Sequence, residues 1–300
     1  MYQKLFDELF QTQVNLARQS TASVQPGTSL INTILGNYRL LQLLGEGGFA
    51  DVYLGQHRYL NSYAAIRVMQ ERVTGQNIRN FIQEAQTIAH LRHPHIIRLL
   101  DFGVEETKAY LAMDYAPGGT LRQRHPEGTI VSLATILHYV QQVASALQYA
   151  HDHKLVHRDI KPANMLVDAG DAIVLSDFGI AVAAHSTQSI STQEVVGTVS
   201  YMAPEQINGK PRPASDQYAL AVVVYEWLCG ACPFGGNTVI EIAMLHISAP
   251  PPPLRARIPT IPPAVERVVL RALAKAPSQR FDSVQALACA LEYACNYLSP

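Results

Sequence analysis

The chain changes character once, at DYAPGGTL, and that change limits its fold more than any other feature. On the N-terminal side, YRLLQLLG, DVYLGQ and YAAIRVM read as strands, with a turn over Arg58–Ser62 before the last. A helix follows in NIRNFIQEAQTIAHL, where Ile78, Phe81, Ile82, Ala85 and Ile88 share one face. IIRLLDFGVE and KAYLAMDY add two strand-like pieces. Beyond Gly119 helices dominate, at LATILHYVQQVASALQYAHDH, SDQYALAVVVYEWL and PAVERVVLRALAKA. A small sheet followed by a larger helical part is an α+β arrangement. The expected boundaries are 37–113 for the sheet part, 114–119 for a hinge, 120–295 for the helical part and 296–300 for a tail.

Residues 1–36 stand apart. Tyr2, Leu5, Phe6, Leu9, Phe10 and Val14 recur at helical spacing, and STASVQPGTS then breaks the pattern. Such a stripe is costly to leave in water, so it is expected to pack on its own domain or to mediate self-association through residues 1–17. Acids interrupt the apolar stretch of MYQKLFDELF, so no secretory leader is expected, and Tyr2 excludes myristoylation. A net charge of −1 gives no attraction to nucleic acid or an anionic membrane. The most apolar run, YALAVVVYEWLCGACPF, is broken by Glu226 and too short to span a bilayer, so it reads as a buried core helix rather than a membrane segment. Four irregularly spaced cysteines fit a reducing cytoplasm better than a disulfide framework.

LGEGGFADVYLG places glycines at 45, 47 and 48. No Gly-Lys-Ser/Thr closes the run and no helix follows, which excludes a Walker loop and a dinucleotide fingerprint. A glycine-rich turn between antiparallel strands either closes a hairpin or folds over a nucleotide, its N–H groups reaching phosphate because no Cβ intervenes. VHRDIKPANMLV followed by SDFGIA is far more specific, with Asp177 thirteen residues after Asn164. Phosphoryl transfer asks a protein mainly for positioning and charge neutralisation. Asp159 can accept the proton of an attacking hydroxyl, Lys161 adds positive charge beside it, and Asn164 and Asp177 offer oxygens suited to Mg²⁺.

On these motifs the chain resembles the eukaryotic-type serine/threonine protein kinases, most closely their bacterial branch, over about Tyr38 to Leu291. The resemblance implies a bilobal protein-kinase fold, with an antiparallel sheet and one main helix in the small lobe. It implies ATP as phosphate donor, Mg²⁺ or Mn²⁺ as metal, and a protein substrate with a serine or threonine acceptor. Gly45, Gly47 and Ala50 occupy the three glycine positions of the nucleotide loop, the third being substituted. Val52 and Ala65 would sandwich adenine, Met113 would be the gatekeeper and Asp114 to Ala116 the hinge. Glu84 falls at the helix-borne glutamate. In MAPEQ, Glu205 would pair with Arg280, and Asp216 would brace the catalytic loop. Lys161 and Thr198 match the serine/threonine form of the family. Arg158 before Asp159 implies control by activation-loop phosphorylation, with Ser186, Thr187, Ser189, Ser191 and Thr192 as candidate sites.

YAAIRVM departs from the family, because Arg67 stands where a lysine bridges phosphates and pairs with the glutamate. Arginine keeps the charge, yet its planar fork prefers bidentate pairing with a carboxylate such as Glu84. The reading is a signalling enzyme that autophosphorylates its activation loop, with activity weakened or lost through Arg67. The alternative is an ATP-binding scaffold without transfer. Arg67 is then a natural feature of a weak enzyme, a tolerated change, or one introduced to silence an active parent. The bland readings elsewhere are a loop for His90, His93 and His95, a helix end for Cys229 and Cys232, and a stiff connection for APPPPLRARIPTIPP.

Overall fold

The computed structural model describes residues 30–47, 50–70, 76–105, 108–178 and 197–296. The apolar stripe from Tyr2 to Val14 lies outside them, as do Gly48 and the five hydroxyl residues from Ser186 to Thr192. Two compact units share the described chain, one formed by 30–90 and 98–115, the other by 91–97 and 116–296.

The first unit is a six-stranded antiparallel sheet. Its strands are β1 (Ile34–Leu35), β2 (Tyr38–Gly45), β3 (Ala50–His57), β4 (Tyr63–Met69), β5 (Leu99–Glu105) and β6 (Lys108–Asp114), in the order β1-β2-β3-β4-β6-β5. Strand β1 falls in the stretch that the sequence pattern sets apart, because two residues are too few to show alternation. One helix, α1 (Gln76–Ala89), completes the unit. Alternation along β4 sends Ala64, Ile66 and Val68 into a core with Leu35, Tyr38, Leu40, Tyr53, Tyr110 and Ala112. Ala65 and Arg67 therefore share the opposite face.

Tyr110 fixes two glycines in this core. A Cβ on Gly103 would lie 2.6 Å from the Tyr110 hydroxyl and 2.7 Å from its ring, and Gly36 faces the same side chain at φ 55°. Gly103→Ala is therefore expected to cost about 1–3 kcal/mol through overpacking, read as a lower midpoint in thermal unfolding. An unchanged midpoint would show that the ring can yield.

In the second unit, α2 (Leu121–Arg124) precedes the long α3 (Leu133–Asp152), whose N-terminus is capped by Ser132. A hairpin of β7 (Met165–Val167) and β8 (Ile173–Leu175) follows. Then come α4 (Pro204–Ile207), α5 (Pro213–Cys229), α6 (Val239–Ser248), α7 (Pro263–Ala272) and α8 (Val284–Asn296). Every residue of α5 from Ser215 to Leu228 is buried, as expected for a helix apolar all round, and α3, α7 and α8 pack against it. Among the described residues, no helix is long and apolar enough to cross a membrane. The proline-rich stretch joins α6 to α7, and it is pinned within its length by Leu254, which has no exposed surface. His93 Nε2 lies 3.1 Å from Ser145 Oγ on α3, and His95 Nδ1 lies 2.8 Å from the Ile173 carbonyl on β8. These two histidines tie their loop to the helical unit.

Candidate active site

The β7–β8 hairpin explains the spacing of the two expected metal-binding residues. Met165 pairs with Leu175, so Asn164 and Ser176 flank the last rung, and Ser176 N–H donates to the Asn164 carbonyl at 3.0 Å. Asp177 is the next residue, and Ser176 Oγ donates to its Oδ2 at 3.1 Å. Asn164 Nδ2 donates to both the carbonyl and Oδ2 of Asp159, each at 2.8 Å. Its Oδ1 is thus the atom left for a cation. A carboxylate and an amide oxygen on adjacent strand ends suit a hard divalent ion such as Mg²⁺.

Asp159 lies at the centre of this cluster. Lys161 Nζ stands 3.0 Å from its Oδ2 and donates to Thr198 Oγ1, also at 3.0 Å. The loop carrying Asp159 hangs on Asp216, which is buried on α5. Asp216 accepts from the backbone N–H of His157 at 2.9 Å and of Arg158 at 2.8 Å, and lies 2.7 Å from His151 Nε2. His157 is fully buried. Its Nδ1 accepts from Asp159 N–H at 3.2 Å, so its proton sits on Nε2, 2.8 Å from the Ser176 carbonyl. Burial lowers its pKa and keeps the ring neutral, which that hydrogen-bond pattern requires. Arg158 and Asp177 adopt left-handed backbone conformations, φ 72° and 65°, which side chains with a Cβ seldom hold.

Glu205 and Arg280 meet in two bonds of 2.8 Å. The other guanidinium N–H groups reach the carbonyls of Ala274, Ala214 and Lys275, so all five donors are used. Burial pushes the Glu205 carboxyl up, but its bonds from Arg280 and Ser215 outweigh this and hold it below the ordinary value.

In the sheet unit, Val52 pairs with Arg67, and Arg67 with Leu111, while Leu54, Ala65 and Met113 form the next row. One face therefore carries Val52, Ala65, Arg67 and Met113 together. Gly45 ends β2 opposite Val52, and a Cβ there would meet nothing within 4 Å, so the protein's own packing does not demand glycine. Gly47 and Ala50 border residues 48–49, which lie outside the described part. Glu84 lies on α1, with its side chain outside the described part. Asp114 closes β6, its N–H donating to the Arg98 carbonyl, and Ala116 follows in the helical unit.

A family model described as the protein kinase domain matches residues 38–291. The chain belongs to the protein kinase domain family. The kinase domain is 37% identical over 255 residues to the serine/threonine-protein kinase PrkC of Bacillus subtilis, covering 84% of this chain and 39% of that protein. It is 33% identical over 252 residues to the probable serine/threonine-protein kinase PknB of Lactococcus lactis, covering 83% and 40%. With the serine/threonine-protein kinase PknA of Mycobacterium tuberculosis it shares 37% over 259 residues, covering 84% and 59%. The chain thus spans about two fifths of the first two relatives.

One cluster in the kinase domain escapes sequence reasoning. Glu226, the charge inside the apolar run, receives Arg122 in two bonds of 2.7 and 3.1 Å and the Tyr201 hydroxyl at 2.6 Å. The lone acid signals that some cation must cover it, without saying which. Cys232 lies beside this cluster, and burial pushes its thiol up to about 12, so the free thiol is unreactive at neutral pH.

Proposed function

We propose that this kinase domain transfers the γ-phosphate of ATP to serine or threonine hydroxyls of a protein substrate. The observation that carries the reading is the joint placement of Asp159, Lys161, Thr198 and Asn164, with Lys161 touching both Asp159 and Thr198. In this reading Asp159 orients the acceptor hydroxyl and takes its proton, and Thr198 holds Lys161 beside the reacting oxygen. Asn164 and Asp177 hold Mg²⁺, which when bound neutralises charge on the phosphates. The sheet face with Val52, Ala65 and Met113 receives the adenine, and Arg67 the phosphates. Arg158 grips a phosphorylated activation loop, and autophosphorylation within Ser186–Thr192 supplies that group. Arg67 weakens turnover more than binding, because charge is kept while its placement is not.

Asp159→Asn is expected to reduce transfer by about 10²–10⁴-fold in a radiolabelled-phosphate assay with Mg²⁺·ATP and a basic peptide. Asp177→Ala should abolish the Mg²⁺ dependence of ATP binding in calorimetric titration. Undiminished transfer in the first variant would remove Asp159 from the chemistry, and unchanged Mg²⁺·ATP affinity in the second would sink the metal assignment. ATP binding without γ-phosphate loss, even after autophosphorylation is sought by intact mass, would favour the scaffold reading.

A further inference from the structure

The β7–β8 hairpin that brings Asn164 and Asp177 together has only 3 residues in each strand, too few to hold a register unaided. Val167 and Ile173 face each other across it, yet their backbone groups point outward. Val167 bonds the segment before α2, its N–H donating to the Gly119 carbonyl and its carbonyl accepting from Gly118 N–H, each at 2.9 Å. On the β8 side, the Ile173 carbonyl lies 2.8 Å from His95 Nδ1, and Leu175 bonds the backbone of His95 and Ile97. The Ile173 N–H is met by a side chain, donating to Gln142 Oε1 on α3 at 2.8 Å. Ile173 has no exposed surface, so water cannot stand in for that acceptor.

The Gln142 amide has one orientation. Its Oε1 faces a backbone donor, so its Nε2 points the other way, to His138 Nε2 at 2.8 Å and to the His138 carbonyl at 3.3 Å. His138 Nε2 must then accept, which puts the ring proton on Nδ1. One turn of α3 thus braces the side chain from behind. Ile173 opens β8, and Asp177 follows directly after Ser176 at its far end. We propose that Gln142 is a positioning residue for the metal pair, fixing the start of β8 against α3 so that Asp177 arrives beside Asn164 in a single register. This role rests on the reading of Asn164 and Asp177 as the Mg²⁺ pair. Without the acceptor a buried N–H is stranded, and β8 relieves it by drawing away from α3. So short a strand has no remote end to absorb the shift, which passes on to Asp177. Apolar contact between α3 and β8 gives no such control, because it tolerates sliding along the strand.

In the whole chain, Gln142→Leu removes the acceptor and keeps the bulk, Gln142→Asn keeps the amide but draws it back by a methylene, and Gln142→Glu keeps an oxygen in place. Two quantities are measured on each: amide hydrogen exchange, and the Mg²⁺ concentration that gives half-maximal ATP binding in calorimetric titration. Gln142→Leu is expected to speed exchange at Ile173 and Leu175 about tenfold or more while the α3 amides stay protected. It should also raise the Mg²⁺ midpoint about tenfold, the scale on which supports of metal ligands act, with ATP affinity in EDTA unchanged. Gln142→Glu should restore both. Gln142→Asn should behave as Gln142→Leu does, and it decides the matter if Gln142→Leu does not fold. An unchanged Mg²⁺ midpoint in a folded variant without the acceptor would overturn the proposal even where exchange rises, because Gln142 would then be a packing contact. Unchanged exchange would overturn it too, as would an equal loss of ATP affinity in EDTA, which marks global loosening. Asp177→Ala controls for the metal reading. If that variant keeps its Mg²⁺ dependence, the metal reading fails and the proposal with it. If it loses the dependence while Gln142→Leu keeps a normal midpoint, the role of Gln142 alone is overturned.

Discussion

Arg67→Lys is expected to raise phosphate transfer to serine or threonine by about 10²-fold, the scale that a misplacement of roughly 1 Å costs. The register of β4 makes this a question of side-chain chemistry rather than of location. Position 67 pairs with Val52 and Leu111, on the sheet face opposite the Tyr53, Ile66 and Ala112 core, whichever cation occupies it. An ammonium on a flexible stem can sit between a carboxylate and two phosphates. A guanidinium engaged by Glu84 in parallel bonds would leave the phosphates displaced. The gain should therefore appear in kcat, with ATP affinity changed by less than about tenfold, because charge is conserved while transition-state placement is not. The assay compares the chain as it stands, Arg67→Lys, and Arg67→Lys with Asp159→Asn. Recovery in the second and loss in the third support the assignment of both residues. A folded, ATP-binding Arg67→Lys protein without recovery places the defect elsewhere and favours the scaffold.

Arg280→Met should lower stability by about 3–5 kcal/mol, because it strands the buried Glu205 carboxylate without its partner. For a domain of this size that is a fall of about 6–10 °C in Tm. The environment is unforgiving. Arg280 is 2% exposed, and besides Glu205 it ties down the carbonyls of Ala214, Ala274 and Lys275. Glu205→Gln in the same background should recover part of the loss, since it removes the stranded charge. The depressed Glu205 pKa gives the pair a pH signature. Its contribution is fully present above the unfolded value near 4.5 and is lost as pH falls through the lower folded value. Calorimetry across that range reads both effects, and a loss below about 1 kcal/mol would show that the pair is not a structural anchor.

The local grammar of this kinase domain was written in the sequence. Alternation in YAAIRVM determined which side chains enter the sheet core, because the period of a strand is fixed by its backbone. The thirteen-residue spacing from Asn164 to Asp177 implied a shared site, and the intervening β7–β8 hairpin is local enough to realise it. The apolar run around Glu226 announced a helix buried on all sides. The resemblance to protein kinases added Asp216, Glu205 and Arg280 as braces, which spacing alone could not have paired.

Only the tertiary structure chose the remaining partners. Arg122 covers Glu226 across 104 residues, and the Tyr201 hydroxyl reaches the same carboxylate across 25. A charge in a pattern states that compensation is needed, but packing decides which of several cations arrives. The left-handed backbone at Arg158 and Asp177 was equally silent, since neither residue type advertises that conformation as glycine does. The same holds for the buried His246, whose ring meets the hydroxyl of a tyrosine 28 residues away. Periodicity and short motifs encode what neighbours along the chain can do. Long-range polar pairing depends on geometry that exists only once the apolar core has fixed the elements in place, which is why the cover of Glu226 by Arg122 and Tyr201 became visible only in the fold.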